Sequence, residues 1–220
     1  MTIMEAIKAR HSVRSYTEKA LPKEIIDALS AEIAACNKEG DLHIQLVHNE
    51  PEAFAGMMAH YGKFSGVQNY LAMVGKKSSD LEEKIGYYGE RIALKAQMLG
   101  LNTCWVALTF SKGTVKKNIT VNDDEKMVLV LSLGYGTTQG VQHKSRDFSA
   151  VSEVKGEMPD WFKAGVEAAL LAPTAMNQQR FQFELDGETV TLKNRGGFYT
   201  KIDLGIVKYH FETASGHTVA

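Results

Sequence analysis

LEEKIGYYGERIALKAQMLG, residues 81–100, is the stretch whose reading decides the fold. Leu81, Ile85, Tyr88, Ile92 and Leu99 recur at helical spacing and predict a helix over Leu81–Leu99. Gly100 follows as its stop, because a glycine just past a helix takes the left-handed conformation without a Cβ clash. A second stripe runs through Gly86, Gly89, Ala93 and Ala96. A glycine inside a helix costs about 1 kcal/mol relative to alanine, so close packing of another helix is the expected reason for it.

Outward from this helix toward the C-terminus, Asn102–Ala107 reads as a strand and Ser111–Lys117 as a short helix. Lys126–Gly134 is an unbroken apolar run, the pattern of a fully buried strand. Gly136–Ser152 is a polar crossing segment. Pro159–Leu171 reads as a helix that breaks near Pro173. Phe181–Leu185 and Thr189–Lys193 form a hairpin about Asp186-Gly187, a turn pair suited to positive φ. A last helix covers Tyr199–Thr213.

Toward the N-terminus, Tyr70–Gly75 reads as a short buried strand, Pro51–Tyr61 as a helix and Leu42–Val47 as a half-buried strand. Pro22–Ala35 is an amphipathic helix with Ile25, Ile26, Leu29 and Ile33 on its buried face. His11–Lys19 is a polar loop after a first helix, Ile3–Arg10. The order Pro22, helix, strand is echoed by Pro159, helix, Arg180–Glu184. The echo suggests two similar α/β lobes, about 20–110 and 157–214, intertwined in a single domain over 1–220 because no flexible linker separates them.

Composition narrows the function classes. The chain has 220 residues, 44% hydrophobic and 23% charged, with a formal net charge of -1. That balance is globular and offers no global basic field for nucleic acid. The longest apolar stretch, Met127–Leu133, is too short to span a bilayer. Met1–Ser12 has no apolar core of a signal peptide, so a cytoplasmic protein with no membrane partner is expected. Cys36 and Cys104 are too far apart and too few for a disulfide scaffold or zinc site. The histidines show no metal-ligand spacing.

Three segments carry possible chemistry. Arg10-His11-Ser12-Val13-Arg14 places two guanidinium groups, an imidazole and a hydroxyl within five residues, and guanidinium forks match phosphate oxygens in pairs. His143-Lys144-Ser145-Arg146 repeats the same donors. Either could be a solvated surface loop, but together they offer four permanent charges at Arg10, Arg14, Lys144 and Arg146. A phosphate monoester carries about -1.5 to -2. The third segment, Ala172-Pro173-Thr174-Ala175-Met176-Asn177-Gln178-Gln179, is rich in small and amide groups that suit the edge of a heterocycle. Gly134-Tyr135-Gly136 lacks the third glycine and following helix of a dinucleotide-binding turn.

The order of these features resembles the FMN-dependent nitroreductase family across most of the chain. The matching pieces are the Arg-His-Ser-x-Arg segment, the long central helix, Leu99-Gly100-Leu101-Asn102-Thr103, a buried strand ending Leu133-Gly134-Tyr135, and Lys144-Ser145-Arg146. The resemblance implies an α/β fold with a mixed, largely antiparallel sheet wrapped by helices, and a homodimer with FMN at the subunit interface. It places Arg10, Ser12, Lys144 and Arg146 at the phosphate and Arg14 at the pyrimidine edge, with His11 also among the cofactor-binding residues. Family members usually carry Pro-Ser-x-x-Asn after the second helix. Here Ala35-Cys36-Asn37-Lys38 stands there, and Pro173, Thr174 and Asn177 match the pattern instead, as in a diverged branch with duplicated lobes. The function implied is ping-pong hydride transfer from NAD(P)H through FMN to a small-molecule acceptor such as a nitroaromatic or quinone, with no catalytic side chain required and no metal. Dehalogenation, flavin fragmentation and a non-enzymatic flavin-binding role are the alternatives.

Overall fold

In the computed structural model, which describes all of residues 1–220, the stretch Leu81–Met98 is a helix (α4). Leu99 caps it and Gly100 follows at φ +82°, the expected stop. Helices Ile3–Ala9 (α1) and Lys23–Gly40 (α2), edge strand Gln45–Val47 (β1), short helix Met57–Tyr61 (α3) and strand Asn69–Lys76 (β2) precede it. Strand Asn102–Val106 (β3), helix Lys112–Lys117 (α5) and strand Glu125–Gly134 (β4) follow. The rest comprises strand Ser152–Lys155 (β5), helix Asp160–Ala169 (α6), strands Phe181–Asp186 (β6) and Thr189–Asn194 (β7), and helix Thr200–Ser215 (α7).

The strands form two sheets. One has the order β1-β2-β4-β3 and is antiparallel throughout. The other has the order β5-β6-β7, with β5 parallel to β6 and β7 antiparallel. The architecture is the mixed, mainly antiparallel α/β one expected. The apolar run at 126–134 becomes β4, inside the first sheet with a partner on each side. Successive residues of a strand face opposite ways. Leu71, Met73, Leu129, Leu131 and Leu133 therefore join the main core around α4. Tyr70, Ala72, Val74 and Val130 join a second core, closed by Phe54, Phe64 and Phe110.

Helix α4 packs on α7, α2, α1 and the first sheet. A Cβ on Gly86 would collide with the Ile202 carbonyl, and one on Gly205 with the Glu83 carbonyl. The glycine stripe therefore does what the sequence suggested, letting two backbones touch. Gly89 is different, since the Trp105 ring fills the space its Cβ would take.

Several boundaries differ from the sequence expectation. Helix α2 runs five residues past Ala35, because Cys36 and Gly40 are buried and Gly40 sits under the Tyr88 ring. The segment Ala35-Cys36-Asn37-Lys38 is thus helix rather than a loop. The Asn37 amide bonds both backbone groups of Ile44, at 2.8 and 2.9 Å. The strand expected over 42–47 contracts to Gln45–Val47, with Leu42 paired to Gly75 by an isolated bridge. The expected 51–61 helix splits at Gly56, whose extended backbone starts α3 after a 3-10 turn at Glu52–Phe54. Strand β5 has no counterpart in the sequence expectation. It is four residues long inside a polar segment, and it pairs with β6 far along the chain, Ser152 against Phe183.

Candidate functional site

The segment after α1 is stitched into the fold as an irregular strand. Arg10 is the C-cap of α1. Beyond it, Val13 N–H donates to the Thr103 carbonyl at 3.1 Å, and Tyr16 N–H to that of Ser65 at 2.9 Å. The Tyr16 hydroxyl donates to the Val13 carbonyl at 2.6 Å. Ser12 and Arg14 are thereby left exposed on one side of the strand, while Arg10 and Val13 point inward.

Arg10 is only 2% exposed. Its Nε lies 3.2 Å from Glu90 Oε1 on α4, a charge contact too bent for a hydrogen bond. Nε and Nη1 are fully enclosed without an acceptor. Glu90 also accepts from Trp105 Nε1 at 2.9 Å and His210 Nε2 at 3.0 Å. Burial pushes the Glu90 carboxyl up, but Arg10 and the His210 and Trp105 donors outweigh it and hold the group below the usual carboxylate range. Sequence reading missed Glu90 and His210. The available signal was a carboxylate on the small-residue stripe, four residues after Gly86 and three before Ala93.

The second basic segment is brought beside the first. Gly140, at φ +72°, packs on the His11 Cβ and the Ser12 carbonyl. His143 and Ser145 both donate to the Leu170 carbonyl at the end of α6, at 3.0 and 2.9 Å. Burial, and then the Arg10 charge, lower the His11 pKa. Burial likewise lowers that of His143, with Arg10 adding to it. The Lys144 and Arg146 side chains are exposed. Residues remote in sequence therefore meet, but Arg10 differs from the other three cations in being buried against a carboxylate.

The third segment ties the second in place. Asn177 Nδ2 and Gln179 Nε2 each donate to the Lys144 carbonyl at 2.9 Å. Gln179 Oε1 accepts from Arg146 N–H at 2.8 Å. Met176, Asn177 and Gln179 all hold positive φ, near +50°, a strained arrangement for non-glycine residues. Asn177 is committed to this loop rather than to the cleft.

Ser12, Arg14, Pro173 and Thr174 line one cleft of about 660 Å³. Its other walls are the end of β3 with Trp105, Phe64 near α3, and Ile202, Asp203 and Ile206 of α7. The lining is mainly apolar with few polar groups, the usual make-up of a cofactor pocket. The Arg14 guanidinium lies 5.8 Å from the centre of the Phe64 ring. Arg10, His11, Lys144, Arg146 and Asn177 stand outside this lining.

Asp203 is the acidic group in that wall. It accepts from Ala175 N–H and from Gln178 Nε2, both at 2.9 Å, and so pins the strained loop to α7. Burial pushes its carboxyl up to about 6, with the two donors opposing. The unfolded chain has its aspartates near about 3.9. Below that value both states are protonated. Between about 4 and 6 the unfolded chain loses the proton while the folded one keeps it, so stability falls as pH rises, by about 2–3 kcal/mol, and then levels off. In urea melts from pH 4 to 6.5, wild type should lose stability relative to Asp203→Asn across that window. A pH-independent difference between them would reject this account.

A family model described as "Putative TM nitroreductase" matches residues 2–215. The chain is similar to a solved putative nitroreductase of Thermotoga maritima, with 21% identity over 97% of this chain and 83% of that one, and a TM-score of 0.65. It is similar to a putative NADH dehydrogenase/NAD(P)H nitroreductase of Bacteroides thetaiotaomicron, at 21% identity, 68% and 95% coverage and a TM-score of 0.54. A putative nitroreductase of Desulfovibrio desulfuricans, solved in complex with FMN, aligns at 14% identity over 72% of this chain and 99% of that one, with a TM-score of 0.55. No curated protein matches the chain. At these identities the solved structures share the fold.

Proposed function

The chain belongs to the putative TM nitroreductase family, and on that premise we propose that it is an FMN-dependent oxidoreductase that takes electrons from NAD(P)H and passes them to a nitroaromatic, quinone or similar small acceptor. The observation that carries this reading is the meeting of Arg10–Arg14 with the 140–146 loop beside an apolar cleft of about 660 Å³.

The residues fit such a group. Arg10 Nη1 is an enclosed donor with no acceptor, which a phosphate oxygen would satisfy. Ser12, His11, Lys144 and Arg146 offer further donors on the two segments that meet there, and charge-assisted hydrogen bonds contribute about 1.5–3 kcal/mol each. Arg14 stands at the cleft mouth, where a guanidinium stabilises negative charge on a reduced ring. Pro173 and Thr174 shape the opposite wall, with the Thr174 hydroxyl accepting from Gln179 N–H at 3.0 Å. When bound, FMN supplies two-electron hydride chemistry. The protein's share is to hold, orient and keep the site dry with Trp105, Leu129, Ile202 and Ile206.

The purified protein is expected to show flavin absorbance after loading with FMN, and anaerobic NADH or NADPH is expected to bleach it. A bound flavin that neither nucleotide reduces would remove the reductase reading and leave the cofactor site.

A homodimer is part of the same proposal. Tyr61, Leu108, Met176 and Phe198 are 83, 60, 91 and 75% exposed around the cleft mouth. Exposed apolar groups gathered in one place favour a partner surface, and a second copy would close the mouth. Sedimentation should give a dimer, and Phe198→Glu should shift it to monomer with weakened FMN retention. A wild-type monomer that retains FMN tightly would sink the dimer.

A further inference from the structure

We propose that Glu90 and His210 are positioning residues that hold Arg10 for the flavin phosphate, forming a buried charged seat under that end of the site. The inference rests on the flavin reading above and goes beyond it by naming two residues on α4 and α7 outside the cleft lining.

His210 is fully buried. Its Nδ1 is 3.0 Å from the Ala168 carbonyl and its Nε2 is 3.0 Å from Glu90 Oε1. A carbonyl oxygen only accepts, and an ionised carboxylate only accepts. The Ala168 carbonyl and the Glu90 carboxylate therefore hold the His210 ring from both sides. Its donor and that of Trp105 hold the Glu90 carboxylate in one orientation. Glu90 is thereby fixed as an anion with Oε1 toward Arg10 Nε.

The orphaned donor decides what the seat is for. Arg10 and Glu90 are both buried with His210 beside them. Glu90 faces Arg10 Nε, and Arg10 Nη1 is enclosed without an acceptor. A purely structural ion pair would satisfy both partners, since an enclosed donor without an acceptor is unfavourable. An anion placed against Arg10 Nη1 supplies that acceptor. The surrounding residues match that: His11 and His143 both feel the Arg10 charge, and Ser12 follows two residues on.

The experiment compares FMN with riboflavin, which carries the same ring and no phosphate. Glu90→Gln keeps the shape and removes the charge. His210→Asn keeps an amide donor for the Ala168 carbonyl and removes the one to Glu90. In folded variants, the FMN dissociation constant should rise about 10- to 100-fold, with that for riboflavin unchanged. Parallel weakening of both ligands, or no change in either, would overturn the seat. A wild type that binds neither flavin would instead overturn the flavin reading itself. If a variant does not fold, ¹⁵N spectra of the wild-type protein carry the test: FMN but not riboflavin should shift the Arg10 guanidinium and His210 ring signals, and equal shifts or none would reject the proposal.

Discussion

Arg10→Ala is expected to empty the proposed flavin site and weaken the fold in one step. The two effects have one cause. The guanidinium is enclosed between Glu90 and the segment that begins at His11, so removal takes a cation from both sides. Toward the cofactor, one lost charge-assisted bond amounts to about 1.5–3 kcal/mol, which is an FMN affinity lower by at least about 10-fold. Toward the interior, Glu90 keeps its His210 and Trp105 bonds but loses the Arg10 charge beside it. Removing one member of a buried ion cluster costs about 3–5 kcal/mol. Arg10→Lys should not restore binding, because an ammonium cannot face Glu90 and a phosphate with separate donors in a fixed fork. Lys144→Ala and Arg146→Ala supply the contrast. Both side chains are exposed, so these changes should weaken FMN with little effect on a urea melt. Flavin retention on a desalting column and the melt midpoint read the two effects separately. Wild-type retention in Arg10→Ala would refute the assignment of the segment.

That contrast marks how far the sequence carried. The donor clusters at 10–14 and 143–146 were legible because they depend on residue type within a few positions. Their meeting is visible through Gly140, packed on His11 and Ser12. What could not be read was that Arg10 faces inward. Helix α1 ends at Ala9, and the side-chain direction of its cap depends on where Thr103 pulls Val13. A residue's partners across many tens of positions leave no local pattern.

The same division holds for the fold. Helix α4 and strand β4 have strong local signals and stand where their periodicity puts them, while the hairpin expected about Asp186-Gly187 turns one residue later, at Gly187-Glu188, with Asp186 paired to Thr189. Strand β5 has four residues and a non-local partner, so its pairing and not its composition makes it a strand. Asn177 matched a motif by spacing, but its amide serves the Lys144 carbonyl. Asp203 carried no signal at all. It lies in the first turn of an otherwise ordinary helix and acquires its place in the cleft only through the Ala175 and Gln178 donors.

Gly86→Ala and Gly205→Ala should each destabilise the fold, although alanine is the better helix former. The propensity gain is about 1 kcal/mol. Against it stands the crossing of α4 and α7, where each new Cβ meets a backbone carbonyl of the other helix, Ile202 for Gly86 and Glu83 for Gly205. A backbone group cannot rotate aside as a side chain can, so the helices must separate. Overpacking of this kind costs about 1–3 kcal/mol or more, and a net loss of about 2 kcal/mol is expected for each change. One displacement makes room for both methyl groups, so the double variant should lose less than the sum. The displacement should also reach the site. Ile202, Asp203 and Ile206 form one wall of the cleft from α7, so FMN should bind more weakly even at temperatures where the variants stay folded. Gly113→Ala is the control. That glycine lies in α5, and a Cβ placed on it would have nothing within 4 Å, so only the propensity gain remains and stability should rise by up to about 1 kcal/mol. Urea melts of the four variants decide the matter: if Gly86→Ala and Gly113→Ala move stability in the same direction, close backbone contact between α4 and α7 is not what the glycines are for.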